Sequence, residues 1–229
     1  MSIAHEKPEV VPALFDGVHI AVTPDSLHWQ TAADIEAEIF IEKDYVQSAA
    51  ELADEYAPYL GVTEFVGVHR NGLAEGSTRL IFYSPDTGFK TLTDIKEGRL
   101  TIDESGYAKL AALDLHSTFE VGTLSVARDM RGKPEDAGRI SVALYGAIYG
   151  EARRHDAPYM LASFDEDYFH RFKGIFGPGV QQLGPSTDYM GSPTVPVLMD
   201  INQLHDHLSA NFPDVFSAAI EVANTLLHD

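Results

Sequence analysis

The stretch from Phe119 to Phe164 constrains the fold of this chain more than any other. It opens with "FEVGTLSVA", an apolar, β-prone run, turns abruptly basic at "RDMRGK", and continues as "AGRISVALYGAIYGEARRH". In that third piece Ile140, Leu144, Ile148 and Ala152 recur at the spacing of one helix face. "APYMLASF" then reads as a second strand. A strand, a basic glycine-containing turn, an amphipathic helix and another strand call for a sheet with helices packed against it.

The flanking sequence extends the same pattern. "GVHIAVTP" (17–24) reads as a short strand ended by proline, and Thr23-Pro24-Asp25-Ser26 supplies helix-start chemistry. Helical spacing follows through Leu27, Ala32, Ile35, Ile39 and Val46, and again over 47–57 before Pro58. "TEFVGVHRNG" and "GSTRLIFYSPDTG" read as an antiparallel hairpin across the turn-rich "RNGLAEG". Residues 90–117 read as a loop with a short helix near 104–113. "DEDYFHRFKGIFG" is a short helix, "GVQQLG" and "TVPVLMDI" are late strands, and helices are expected near 200–210 and 213–227. The order predicts an α+β fold with a mixed, mostly antiparallel sheet. It occupies residues 17–229 as one domain, after a loose arm over 1–16.

With 229 residues, 45% of them hydrophobic, the chain has enough apolar surface for a sizeable core. No apolar run approaches the ~20 residues that cross a bilayer. The first residues lack a basic segment followed by an apolar one, and there is no cysteine. Both fit a cytoplasmic protein. The formal charge is −19, yet residues 128–154 carry six basic groups against four acidic ones. The rest of the chain therefore opposes nucleic acid and anionic membranes, while this one segment tolerates a small anion.

Four segments in order resemble the Gcn5-related N-acetyltransferase (GNAT) superfamily, and within it the acyl-homoserine-lactone synthases and long-chain N-acyl amino acid synthases. They are "IEAEIFIEKDYV" (35–46), "GSTRLI" (76–81), "FEVGTLSVARDMRGK" (119–133) and "QQLGPSTDYMGSPTVPVLMDI" (181–201). The resemblance implies a GNAT fold in which two central strands splay. The pantetheine arm of an acyl donor would lie between them, along Leu124 and Val126. Its phosphates would sit on the next turn and helix start, near Arg128, Arg131, Gly132, Lys133, Gly138 and Arg139. A helix start offers unpaired N–H groups and partial positive charge, arginine offers bidentate contacts, and glycine permits close approach. The turn "RGKPEDAGR" is longer than the compact acetyltransferase version, which suits phosphopantetheine on a carrier protein. Arg153 and Arg154 would extend a dock for such an acidic carrier.

Acyl transfer from a thioester to an amine needs a neutral amine, donors for the oxyanion and a proton for the thiolate. The resemblance puts Glu120 forward as the base and Arg79 as a partner of Glu120 or of a substrate carboxylate. His170, four residues before Gly174, and nearby Tyr168 are both candidates for the proton donor. Thr123 stands where the synthase branch often has arginine, which argues against lactone formation. Trp29, Phe40, Tyr45, Tyr56 and Tyr59 could wall an acyl tunnel, with 85–117 as its cover. No metal is expected, since the histidines of "HDH" (205–207) point to different helix faces. The expected activity is transfer of a fatty acyl group from acyl-CoA or acyl carrier protein to the amine of an amino acid or similar small metabolite. An acetyl-specific enzyme and a non-catalytic thioester-binding protein are the alternatives. A homodimer is one open assembly, with neither nucleic acid nor a membrane span expected.

Overall fold

The order of elements follows the local signals closely. In the computed structural model, which describes residues 17–21, 26–70 and 73–228, strand β1 (Gly17–Ala21) precedes helices α1 (Leu27–Glu42) and α2 (Ala49–Tyr56). Next come strands β2 (Thr63–Arg70) and β3 (Leu73–Phe82), then helices α3 (Lys90–Lys96) and α4 (Glu104–Ala111). Strand β4 (Thr118–Val126), the short helix α5 (Arg128–Arg131), the long helix α6 (Pro134–Arg154) and strand β5 (Tyr159–Asp165) form the constraining stretch. Helix α7 (Glu166–Phe176), strands β6 (Val180–Gln182), β7 (Thr187–Tyr189) and β8 (Ser192–Asp200), and helices α8 (Ile201–Asn211) and α9 (Pro213–His228) complete the chain. The arm expected over 1–16, the helix-start residues Thr23, Pro24 and Asp25, and the hairpin tip Asn71-Gly72 lie outside the described residues.

The caps are those the sequence offers. Ser26 accepts the Trp29 amide (3.2 Å), Ser48 that of Glu51, Asp103 that of Gly106 and Asp200 that of Gln203. Three helices differ from expectation. The basic turn contains a helical turn, α5, and α6 begins earlier, with Pro134 in its first turn where its missing N–H costs nothing. Residues 90–96, expected as loop, form α3 although Phe89 at its N-cap has no capping side chain.

The sheet runs β1-β2-β3-β4-β5-β8-β6, with β7 also on β8. Every pairing is antiparallel except β4 with β5. That parallel pair is short. It joins Thr118–Val121 to Tyr159–Ala162 and then parts. In β4 the register against β3 skips Gly122, which makes it a bulge. Before the bulge Glu120 reaches α3; after it Thr123 reaches Glu36 on α1. Val121 and Leu124 face the opposite side, in the core against α6. That core also holds Phe169, Phe172 and Phe176 of α7 and Leu204 and Leu208 of α8. Tyr56, Tyr59, Ile81, Leu161 and Leu198 form the core on the other face.

Candidate active site

The gap between β4 and β5 holds two cavities that meet. One has a volume of about 290 Å³ and is largely apolar. It runs from the parting of the strands between α6, α7, α8 and α9, lined by residues such as Leu124, Tyr149, Phe172, Leu208 and Phe216. The other, about 80 Å³, lies toward α2 and α3 and is lined by Glu120, Lys90, Thr91, Asp94 and Tyr189. Phe40, Tyr45, Gly122, Ser163 and Asp165 line both.

Glu120 is buried beside this junction, at 3% exposure. Its carboxylate accepts the Thr91 backbone N–H with both oxygens (3.1 Å each) and the Thr91 hydroxyl at 2.9 Å. Thr91 lies in the first turn of α3, so Glu120 supplies from another element the cap that Phe89 cannot. Burial pushes its carboxyl up to about 7, against the pull of the Thr91 donors and of Lys90. The Ser163 hydroxyl lies 3.0 Å from Thr91 Oγ1. Thr91 spends its proton on Glu120, so Ser163 donates to Thr91. A hydroxyl chain thus links the carboxylate to the junction of the cavities.

Other candidates fall differently. The Arg79 guanidinium does not pair with Glu120. It forms a two-pronged pair with Glu36, with Arg79 Nε 2.8 Å from Glu36 Oε1, and stacks 4.0 Å over the Tyr56 ring. Thr123 donates to the same Glu36 at 2.6 Å. Arg79 therefore secures α1 to β3 and β4, and among the described residues lining the two cavities it has no place. His170 is exposed and lines neither cavity, because it points off the outer side of α7. Tyr168, two residues earlier, lines the larger cavity, with its hydroxyl 2.8 Å from that of Tyr145. Of the two donor candidates, only Tyr168 is at the site.

Around the basic turn the structure is selective. Leu124 lines the larger cavity, and beyond Val121 no strand among the described residues pairs with the β5-facing edge of β4, where Val126 ends the strand. Arg131 grips Glu42 with two bonds (2.8 and 3.0 Å), and Arg128 approaches the same carboxylate at 3.8 Å. Lys133 and Arg139 are exposed, and a side chain on Gly132 or Gly138 would meet nothing. The two glycines are thus not forced by contacts within the chain. Arg153 and Arg154 do not extend this patch. They sit at the far end of α6, about 30 Å away at 1.5 Å per residue. There Arg154 pairs with Glu64 and Glu151.

The tunnel wall expected from 27–60 is also redistributed. Phe40 and Tyr45 reach the larger cavity, but Trp29 packs on Phe65 (4.9 Å), and Tyr56 and Tyr59 belong to the core on the other face. The wall comes instead from α6–α9. Helix α9 approaches α6 so closely at Gly146 that an added Cβ would lie 2.4 Å from the Ala219 carbonyl oxygen. Residues 85–117 cover the smaller pocket rather than the larger one, through Lys90, Thr91 and Asp94. Sequence reasoning missed these three, and also Ser163, Asp165 and Tyr189. The only hint was the (i, i+4) pair of Lys90 and Asp94.

Elsewhere, His205 stacks on Tyr149 (5.7 Å) and His207 packs near Phe212. Glu64, Glu151 and His155 bring ligand atoms within 4.8 Å of one another, although Arg154 already bridges the two carboxylates. Among the described residues no helix is long and apolar enough to cross a membrane.

By sequence, no family model and no curated protein matches the chain. Solved structures do. The N-acyl amino acid synthase FeeM from uncultured soil microbes aligns with TM-score 0.55 and 14% identity over 83% of this chain and 93% of its own. The CoA-dependent acyl-homoserine lactone synthase BjaI, solved with SAM and isopentyl-CoA, aligns with TM-score 0.59 and 14% identity over 91% of this chain and 99% of its own. The lactone synthase LasI gives TM-score 0.54 and 11% identity over 84% and 94%. The chain has the GNAT fold that the resemblance implied.

Proposed function

We propose that this protein is an N-acyltransferase that moves a medium or long acyl group from a pantetheine thioester to the amine of a small metabolite. One observation carries the reading: an apolar cavity and a carboxylate-lined pocket meet where β4 and β5 part, beside the buried Glu120. The fold supports it, since FeeM, BjaI and LasI are named for N-acyl amino acid or acyl-homoserine lactone synthesis.

In this reading the pantetheine arm enters along the free edge of β4. The donor's phosphate lies near Arg128, Lys133 and Arg139, whether carried by coenzyme A or by a carrier protein. The acyl chain fills the apolar cavity. An acetyl group would leave most of that space empty, whereas about 300 Å³ is where ligand-sized pockets begin. Glu120 takes a proton from the acceptor, directly or through Thr91 and Ser163. Because its carboxyl titrates near neutral pH, it serves as acceptor without a large energetic penalty. The amine attacks the thioester carbon, the C–S bond breaks, and Tyr168 protonates the departing thiolate.

Incubation with acyl thioesters of graded length and a pool of amines, followed by mass, tests the reading. Amides should form, with chains of eight or more carbons preferred over acetyl. Thermal stabilisation by thioesters with no product from any amine would leave a binding protein instead.

A further inference from the structure

The smaller pocket constrains what the acceptor is. Among the described residues its one lining cation, Lys90, is already spent. Lys90 Nζ donates to Glu55 (3.1 Å), to Asp94 (3.1 Å) and to the Tyr189 hydroxyl (2.6 Å), which uses all three of its protons. Tyr189 in turn donates to Asp94 at 2.6 Å. Arg99, behind the pocket, pairs with Asp94 at 2.6 Å and with Glu55 at 3.2 Å. Lys90 and Arg99 thus balance Asp94 and Glu55. What remains uncompensated at the pocket is acidic: Glu120 and Asp165.

Asp165 stands where the two cavities meet. Its Oδ1 caps α7, accepting the Asp167 and Tyr168 amides. Its Oδ2 accepts from Ser192 (2.6 Å) and Tyr45 (3.1 Å). With four donors to satisfy it, this carboxylate is ionised. Phe40 and Tyr45 present aromatic rings around the same space, while the rings of Tyr56 and Tyr189 already face Arg79 and Lys90. Carboxylates and ring faces together recognise an ammonium group. Among the described residues lining this pocket a substrate carboxylate would find no free cation and no unspent lysine proton; Lys43 lines the adjoining apolar cavity instead. The carboxylate would lie against Asp165 and Glu120, with like-charge repulsion in a partly desolvated site.

We infer that the acceptor is a cationic amine with no carboxylate on the carbon bearing the reacting nitrogen, a decarboxylated amine or diamine rather than an α-amino acid. This rests on the acyl-transfer reading above and narrows its acceptor. The amine enters as R–NH3⁺, drawn by the charge of Asp165, whose acceptor positions are already filled, and by the rings of Phe40 and Tyr45. It gives one proton to Glu120, and its lone pair forms the C–N bond as the C–S bond breaks. A second proton goes to the thiolate, which leaves amide, free thiol and the proton on Glu120 that returns to water.

Matched pairs make the test. The full chain is given decanoyl-coenzyme A with tyrosine or tyramine, phenylalanine or phenethylamine, and lysine or cadaverine. The decarboxylated member of each pair should be acylated with at least tenfold higher kcat/KM. Equal rates, or preference for the amino acids, overturn the inference while leaving acyl transfer intact. If no amine is acylated, the transfer reading fails on its own. Saturation-transfer NMR without donor then decides the pocket, where tyramine should bind and tyrosine should not; binding of both equally overturns it. Met190→Arg places a cation on the pocket rim and should narrow the preference, with binding of tyrosine restored.

Discussion

Two buried glutamates lie on the same side of the central sheet and have opposite fates. Glu36 is fully buried and Glu120 nearly so. Glu36 meets the Arg79 guanidinium and the Thr123 hydroxyl. Glu120 meets only the amide and hydroxyl of Thr91. The first has a cation in contact and ties α1 to the sheet. The second has donors but no cation in contact, and burial holds its carboxyl at about 7. Burial alone therefore does not make a base. A carboxylate becomes one when it is buried and its charge is left only partly compensated. The bulge at Gly122 separates the two cases, since residues just before and after it answer to different helices.

The sharpest way to break this contrast is Glu120→Gln. It keeps shape and buries no charge, so the melting temperature should move by only a few degrees. Thiol release should fall by roughly 10²–10⁴-fold, the usual contribution of a general base. Retention of activity within threefold would remove Glu120 from the chemistry. Arg79→Met is the mirror case. It leaves Glu36 buried without its cation, and urea melts should lose about 3–5 kcal/mol. Adding Glu36→Gln to it should recover much of that loss, because the uncompensated charge is gone.

A third measurement reads Glu120 through pH. Folding raises the Glu120 carboxyl from 4.5 to about 7, so the folded state binds the proton more tightly. The resulting stabilisation is fully present below about pH 4.5 and is lost as pH rises through 7. Its size is on the order of 3 kcal/mol, from 1.36 kcal/mol per pH unit. Denaturant melts between pH 4.5 and 8 should show that decline in the parent protein, and Glu120→Gln should flatten it. Activity should run the other way and rise through pH 7 as the base ionises.

The contrast was half legible in the sequence. Glu120 was visible through the resemblance, which matched it to the family's strand glutamate at the start of an apolar run. Its partner was not. Thr91 lies in a short helix whose N-cap is Phe89, so no local start signal marks it, and the cap arrives from a strand 29 residues away. Arg79 was legible through the same resemblance, but Glu36, 43 residues earlier, looked like any acid on a helix. The basic turn was likewise legible in charge and not in partner, since Arg131 closes on Glu42 from across the chain. The sequence pattern announced helices near 200–210 and 213–227, which are α8 and α9. It could not say that they line a cavity, because a cavity wall and a filled core use the same residues. What depended on local chemistry was readable; what depended on which distant group arrives first was not.

The smallest expected effect separates the two roles of Thr91. Its hydroxyl both steadies the Glu120 carboxylate and connects it to Ser163. Thr91→Val removes that hydroxyl and spares the backbone N–H bonds. A hydrogen bond to a charged group contributes about 1.5 kcal/mol, so the midpoint of the activity profile should move up by about one pH unit. Ser163→Ala leaves the Thr91–Glu120 bond in place and cuts the chain beyond it. Its midpoint should stay near 7 while the plateau rate falls severalfold. Thr91→Ser should restore both. If Ser163→Ala leaves the plateau untouched and Thr91→Val only shifts the midpoint, then Glu120 receives the proton directly. Its hydroxyl chain would then serve to hold the carboxylate near neutral pH rather than to carry the proton.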